Sequence, residues 1–173
     1  MTGTIRLFFG LPCPPEAGER LIAWREAQCL PGRAVWPGNL HLTLAFLGSQ
    51  PAECLSVLRA LADGLDAEPF HLRLDRLQLM QKGLVWIEPT APPAALLTLA
   101  ADLQRALGEA GFPVDTRPYR PHVTLVRHHG ALPADPPPAF DWPAERFALY
   151  ASEGSPEGVR YRPLASWPLR RRP

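Results

Sequence analysis

A four-residue pattern, His-x-Thr-Leu, occurs twice in this chain and constrains its fold more than any other feature. The first copy is HLTL at residues 41–44, and the second is HVTL at residues 122–125. A random order of the same residues would contain about 0.03 copies of the pattern. Because the copies are separated by close to half the chain, they predict two similar halves that each carry one copy.

Each copy lies in a short apolar segment, and these segments predict strands over residues 40–47 and 122–127. Side chains alternate between the two faces of a strand, so the histidine and the threonine of each copy share one face. The leucines point the other way and anchor the strand to the core. Two such strands facing each other would form a cleft with two imidazoles and two hydroxyls.

These four side chains fit the hydrolysis of a phosphodiester. A neutral histidine takes a proton from water, and a protonated histidine gives a proton to the leaving oxygen. The threonine hydroxyls donate to the non-bridging phosphate oxygens, where negative charge grows in the transition state. We therefore identify His41 and His122 as candidate catalytic residues. Thr43 and Thr124 are the candidate phosphate-binding residues.

A metal site is the main structural alternative for the two histidines. Two histidines are a thin ligand set, and no Cys, Asp or Glu lies at ligand spacing beside either one. We therefore expect no bound metal.

The rest of the sequence predicts an α+β protein with largely antiparallel sheets. Apolar periodicity and Pro or Gly punctuation predict strands, helices and two hairpins. The predicted strands cover residues 4–11, 40–47 and 122–127, the helices 16–28, 51–62 and 93–110, and the hairpins 70–79 with 84–88 and 147–152 with 159–167. The proline-rich segment 133–143 is expected to be a loop or a sheet edge.

Composition limits the partners and the compartment. The net charge of +1 over 173 residues provides no global attraction to nucleic acid or to an anionic membrane. No apolar run is long enough to span a bilayer, and no signal peptide is visible at the N-terminus. The three cysteines match neither a zinc spacing nor a disulfide framework. We expect a soluble cytoplasmic monomer that needs no obligate protein partner.

Both copies of the pattern resemble signatures of the 2H phosphoesterases, and within them the RNA 2′,3′-cyclic phosphodiesterases, historically called 2′-5′ RNA ligases. Residues 36–48, WPGNLHLTLAFLG, are similar to the first signature of that family. Residues 117–127, RPYRPHVTLVR, are similar to its second signature. The opening segment 6–12 and the ending segment 161–169 add weaker similarity.

The resemblance implies one bilobal domain over residues 1–173, with two pseudo-symmetric lobes of mainly antiparallel sheet, outer helices and an active-site cleft between the lobes. It implies hydrolysis of 2′,3′-cyclic phosphate ends of RNA or nucleotides to 2′-phosphates, with no metal and no cofactor. His41, His122, Thr43 and Thr124 match the family's catalytic and phosphate-binding positions.

Two further residues are implied by the resemblance, and a third is expected from its place in the sequence. Arg127 matches an arginine that helps to hold the substrate, and Phe46 matches a position near the bound nucleotide. Both lie five residues after a histidine, so a regular strand would point them away from the cleft. A strand end, a twist or a bulge is needed to bring them in. Tyr119, three residues before His122, is expected to line the cleft.

Three other functions stay open at this stage. The chain is alternatively a non-catalytic module that binds RNA ends, an enzyme for 2′-5′ RNA ligation by the reverse reaction, or a hydrolase of a small cyclic phosphate such as a cyclic ADP-ribose phosphate. The paired histidines favour hydrolysis over binding alone, because binding requires arginines and backbone donors rather than two titrating imidazoles.

Overall fold

The computed structural model describes residues 3–171 and 173, and this part of the chain combines strands with three α-helices. The strands are β1 (Thr4–Pro12), β2 (Arg33–Ala34), β3 (His41–Pro51), β4 (Phe70–Leu74), β5 (Arg76–Met80), β6 (Leu84–Glu88), β7 (Val123–Arg127), β8 (Phe140–Ala144), β9 (Arg146–Ser155) and β10 (Gly158–Pro168). The helices are α1 (Pro15–Ala27), α2 (Leu55–Asp63) and α3 (Ala94–Glu109).

The strands form two antiparallel sheets, which confirms the predicted α+β class. The larger sheet has the order β10-β9-β1-β3-β7-β6-β5, with β2 paired to β7. The smaller sheet pairs β4 with β8. The two His-x-Thr-Leu strands, β3 and β7, are direct neighbours in the middle of the larger sheet. Their register is defined by Leu42 opposite Val123.

The order of elements repeats on the two sides of this central contact, as the duplicated pattern predicted. In the first half the chain runs from β1 through α1 to β3, and in the second half from β6 through α3 to β7. A proline pair lies at the start of both α1 and α3, Pro14-Pro15 in the first half and Pro92-Pro93 in the second. Proline fits a helix start because its fixed φ is helical and the first N–H groups have no partner within the helix.

One apolar core runs through both halves. Leu42, Leu44, Val123 and Leu125 are each at most 1% exposed, so the alternate side chains of the two central strands anchor the sheet as expected. Each such burial stabilises the fold by about 1.5–3 kcal/mol. The α3 side chains that join this core follow helical spacing and are Leu96, Leu99, Ala100, Leu103 and Leu107.

A β-bulge in β3 follows Thr43 directly. Thr43 pairs with Gly10 of β1, but the residue before Gly10 pairs with Ala45, so Leu44 is an extra residue in β3. Leu44 and Ala45 are both buried as a result. The alternation therefore shifts by one residue, and Phe46 returns to the face of Thr43.

The same bulge occurs in β7 after Thr124. Thr124 pairs with Trp86 of β6, while the residue before Trp86 pairs with Val126, which leaves Leu125 as the extra residue. Leu125 and Val126 are consecutive buried residues, and Arg127 then lies exposed on the face of Thr124. These two bulges explain how residues at an odd offset from each histidine reach the same face.

One predicted strand is wrong. Residues 70–79, predicted as a single strand, form β4 and β5, which belong to different sheets. The chain changes direction at Asp75, whose backbone N–H donates to the Glu88 carbonyl at 3.1 Å. The Asp75 carboxylate accepts hydrogen bonds from the backbone and the hydroxyl of Thr90. The apolar positions change phase at this break, from Phe70, Leu72 and Leu74 to Leu77 and Leu79, and this shift was the sequence signal that the prediction of one strand overlooked.

The remaining predictions for strands agree with the structure. β5 and β6 form the first hairpin, and β9 and β10 form the closing hairpin. The proline-rich segment ends in β8, where Pro143 lies opposite His71 in the two-stranded sheet. A two-stranded sheet has only edge strands, and edge strands tolerate proline. Among the described residues, no helix has the length and apolar character needed to cross a membrane.

Gly10 allows the close approach of β1 and β3 beside the first histidine. A Cβ atom on residue 10 would lie 2.9 Å from the Leu42 carbonyl oxygen and 3.5 Å from the His41 ring. We expect Gly10→Ala to lower the free energy of unfolding by about 1–3 kcal/mol, because the backbone would have to shift. Urea unfolding measures this change. Gly154→Ala in β9 is the matched control, since a Cβ there meets nothing within 4 Å; an equal loss in both variants would contradict the explanation.

Candidate active site

A cavity of about 810 Å³ opens on the face that the histidines and threonines share. Its walls come from β1, β3 and β7 and from the β9–β10 hairpin. Six of the seven site residues expected from the sequence line it, namely His41, Thr43, Phe46, His122, Thr124 and Arg127. The fold therefore brings both copies of the pattern and both residues that follow the bulges into one cavity.

A backbone carbonyl orients the ring of His41. The Nδ1 atom lies 2.7 Å from the carbonyl oxygen of Asn39, which is a hydrogen-bond acceptor, so Nδ1 carries the proton and donates it. The Nε2 atom of the neutral ring is then an acceptor, and it lies 2.9 Å from the Thr43 hydroxyl. The basic nitrogen of His41 is thus on the side of the ring where Thr43 lies.

His122 is oriented in the same way. Its Nδ1 atom lies 2.8 Å from the carbonyl oxygen of Arg120, again two residues earlier in the chain. Nδ1 therefore carries the proton in the neutral ring here too, and Nε2 is the nitrogen available for proton transfer. The two halves of the fold impose one tautomer on both histidines.

Aromatic rings from neighbouring strands support each imidazole. Phe8 of β1 lies 4.7 Å from the centroid of the His41 ring, and Tyr161 of β10 contacts that ring edge-on at 5.0 Å. Trp86 of β6 lies 3.7 Å from the centroid of His122. Both imidazoles are half-buried against these rings, which removes water from one side of each histidine.

This burial determines the protonation of the site. Burial lowers the pKa of His41 to about 4, the Asn39 carbonyl opposes this effect, and the charges of Arg127 and His122 add to it. The pKa of His122 is also lowered, chiefly by burial. Both imidazoles of the free protein are therefore neutral at neutral pH.

Asn39, whose backbone carbonyl orients His41, is itself held in place through its side chain. The Asn39 amide donates to the Val159 carbonyl at 2.7 Å and accepts from the Tyr161 backbone N–H at 3.1 Å. Both partners are in β10, so this buried asparagine attaches the start of β3 to the closing hairpin. Sequence reasoning missed Asn39, although it stands two residues before the first histidine inside the signature segment.

Glu88 has the corresponding role in the second half. This carboxylate, 2% exposed at the end of β6, accepts hydrogen bonds from Arg120 at 2.8 Å and from Arg76 and Gln78 at 2.9 Å. Burial raises the pKa of Glu88, but the hydrogen bonds from Arg120, Gln78 and Arg76 outweigh it and lower the pKa below its usual value. Its negative charge also raises the pKa of His122, although burial of the imidazole prevails.

Sequence reasoning missed Glu88 as well. The available signal was a charged residue that ends the apolar run LVWIE of β6. A buried carboxylate is rarely found without partners, so its position called for nearby cations. The partner Arg120 lies 32 residues away along the chain, and only the fold reveals this contact.

The expectation that Tyr119 lines the cleft is wrong. The Tyr119 side chain is half-buried, packs against the core and is outside the set of residues that line the cavity. Its hydroxyl donates to the Thr43 carbonyl at 2.9 Å. Tyr119 therefore supports β3 through this hydrogen bond while its ring packs against the core.

Arginine side chains supply the positive charge of the cavity. Arg127 follows the bulge in β7, and Arg33 of β2 lies opposite it in the sheet. Arg6 and Arg160 line the cavity as well. Among the described residues, no group of three or more His, Cys, Asp or Glu side chains is arranged to hold a metal ion.

Comparison with known proteins identifies the family. The model of the 2′-5′ RNA ligase superfamily matches residues 13–154. An RNA 2′,3′-cyclic phosphodiesterase of Escherichia coli is 39% identical over 169 residues, which is 95% of this chain and 96% of that protein. A protein of the same name from Thermus thermophilus is 35% identical and covers 96% of this chain and 91% of its own length.

Solved structures agree with this result. The crystal structure of Escherichia coli LigT complexed with 3′-AMP has a TM-score of 0.89 and 37% identity, covering 97% of this chain and 99% of that one. The crystal structure of a Thermus thermophilus protein, TT0787, has a TM-score of 0.81 and 31% identity, covering 95% of this chain and 97% of that one. The matched family model, the relatives and the shared architecture together show that this chain belongs to the 2′-5′ RNA ligase superfamily.

Proposed function

We propose that this protein is an RNA 2′,3′-cyclic phosphodiesterase that uses His41 and His122 as its acid–base pair. The observation that carries the proposal is the common cavity in which both imidazoles, in one tautomer, lie with the Thr43 and Thr124 hydroxyls. The names of the relatives from Escherichia coli and Thermus thermophilus support this reaction. The 3′-AMP bound to a similar Escherichia coli structure supports a nucleotide substrate.

The proposed reaction opens the cyclic phosphate with one water molecule. The water oxygen forms a bond to phosphorus, and the bond from phosphorus to O3′ breaks. One neutral histidine accepts the water proton at Nε2, and the other, protonated, donates its Nε2 proton to O3′. The products are a 2′-phosphate and a free 3′-hydroxyl, and the two histidines have exchanged protonation states. In-line attack requires the two imidazoles on opposite sides of phosphorus, which histidines from two different strands can provide.

The threonines and Arg127 stabilise the phosphate in this proposal. Hydroxyls of Thr43 and Thr124 donate to the non-bridging oxygens, and Arg127 supplies a positive charge from the β7 side. The equivalent position after the bulge in β3 is Phe46, which offers an aromatic ring instead. This difference orients the substrate, with its cyclic phosphate toward Arg127 and its terminal nucleoside toward Phe46. That orientation favours a 2′-phosphate product.

The cavity between the two halves is the proposed active-site cleft. Both histidines, both threonines and Arg127 come from one chain, so we propose a monomeric enzyme built as a single domain over residues 1–173. The three cysteines are free thiols, which is consistent with action in the reducing cytoplasm.

Hydrolysis and the histidine roles are tested together. We expect the wild type to convert an RNA oligonucleotide with a 2′,3′-cyclic phosphate end into the 2′-phosphate, identified by chromatography. His41→Ala and His122→Ala should each lower kcat by about 10²–10⁴-fold, because each removes one proton transfer. His71→Ala is the control, since His71 is an exposed histidine of β4 outside the cavity.

Circular dichroism establishes that the histidine variants are folded. Near-normal turnover by either folded variant would contradict the acid–base assignment. A predominant 3′-phosphate product would contradict the proposed orientation of the ring while leaving hydrolysis in place.

The pH dependence of kcat/KM should be bell-shaped, with its optimum below pH 6.5, the ordinary pKa of histidine. The sign follows from burial, which lowers the pKa of both imidazoles, while catalysis requires one neutral and one protonated ring. The two apparent pKa values belong to the coupled pair. Steady-state rates between about pH 4 and 8 provide the measurement.

Glu88→Gln should shift this bell to still lower pH and reduce kcat/KM at neutral pH. The substitution keeps the size of the side chain but removes the negative charge that raises the pKa of His122. Glu153→Gln is the matched control, because Glu153 pairs with Arg162 on the exposed surface of the β9–β10 hairpin. An unchanged profile in folded Glu88→Gln would show that Glu88 has no electrostatic role at His122.

A further inference from the structure

We propose that Trp36 and Arg160 form a second base-stacking site, which binds the nucleotide on the 5′ side of the cyclic phosphate end. This inference rests on the proposed function and extends it from the terminal nucleotide to an RNA strand. The site determines specificity for chain length and takes no part in proton transfer.

Two exposed aromatic side chains line the catalytic cavity. Trp36 is 47% exposed and Phe46 is 48% exposed, and both belong to the cavity wall. Core packing does not explain such rings, because each leaves nearly half of its surface in water. Aromatic rings and arginine planes in this setting are the usual stacking surfaces for unpaired bases.

An arginine lies over each of these rings. The Arg160 guanidinium carbon is 4.1 Å from the centroid of Trp36, and that of Arg6 is 4.7 Å from the centroid of Phe46. Arg160 of β10 lies over Trp36 in the connection between β2 and β3, and Arg6 of β1 lies over Phe46 of β3. A base can stack on the guanidinium plane while the aromatic ring supports that plane from behind.

The backbone is shaped to hold Trp36 in this place. Gly38 lies against the indole so closely that a Cβ on residue 38 would overlap the ring. The indole therefore contacts both the backbone of Gly38 and the side chain of Arg160. A loosely exposed tryptophan would not need a glycine at that position.

The Trp36–Arg160 pair is also fixed relative to the first catalytic histidine. The Asn39 side chain bonds to the backbone of Val159 and Tyr161, the two neighbours of Arg160. Tyr161 in turn contacts the His41 ring edge-on at 5.0 Å. These contacts thus join the Trp36–Arg160 pair rigidly to the catalytic centre. A site that recognises a second nucleotide of the same RNA molecule requires such a fixed distance.

The size of the cavity and its two ring–arginine pairs indicate that it can bind two bases of the substrate. A volume of about 810 Å³ lies near the upper end of the range for small-molecule sites, about 300–1,000 Å³. Phe46 follows the bulge beside Thr43, so its pair serves the terminal nucleoside whose phosphate reacts. The Trp36–Arg160 pair, which the reaction itself does not use, remains for the preceding base.

The test compares a dinucleotide and a mononucleotide that carry the same 2′,3′-cyclic terminal nucleoside. We expect the wild type to have the higher kcat/KM on the dinucleotide. In Trp36→Ala the ratio of the two kcat/KM values should fall about 5- to 150-fold, which corresponds to the loss of one stacked base. Trp36→Phe should restore most of the ratio, because it keeps an aromatic ring.

Leu79→Ala is the matched control, since Leu79 is 47% exposed but lies outside the cavity. An unchanged ratio in folded Trp36→Ala overturns the inference, including the case in which both substrates lose activity equally. Absence of wild-type turnover on both substrates overturns the proposed function instead, and the stacking site with it. The two failures are therefore distinguishable.

Discussion

The β-bulge after each threonine is the constraint on which the cavity depends. In a regular strand, Phe46 and Arg127 would follow their histidines on the opposite face and enter the apolar core. The extra residues Leu44 and Leu125 place two buried side chains in succession, which anchors each strand and reverses the alternation beyond them. In both halves the same bulge thus buries two successive side chains in the core and returns the next side chain to the face of the histidine.

The duplicated backbone carries different side chains in its two halves, and this difference gives the cavity a direction. Each histidine donates its Nδ1 proton to the carbonyl two residues earlier. In the first half that carbonyl belongs to Asn39, whose neutral side chain bonds to β10, whereas in the second it belongs to Arg120, which the Glu88 carboxylate holds. The imidazoles therefore share a tautomer but have unlike electrostatic surroundings.

Much of the site was predictable because the relevant signals are local. Alternation in a strand fixes the shared face of His41 and Thr43 without reference to the rest of the chain. The bulges and the contact of Glu88 with Arg120 depend instead on which strands pair, and pairing is decided over long distances in the sequence. Tyr119 was misplaced for the same reason, since only the packed sheet shows that its ring lies on the core side of β3.

Burial and catalysis are linked through the charge of the substrate. In the free protein, burial and the positive charge of Arg127 both lower the pKa of His41, which leaves the pair neutral. A phosphate anion between the histidines would offset the charge of Arg127 and raise the pKa of both imidazoles. In the proposed reaction, the protonated histidine that departure of O3′ requires would then be favoured by bound substrate. Burial, with a smaller contribution from Arg127, keeps the empty site neutral, so in the proposed reaction substrate binding would itself prepare the acid–base pair.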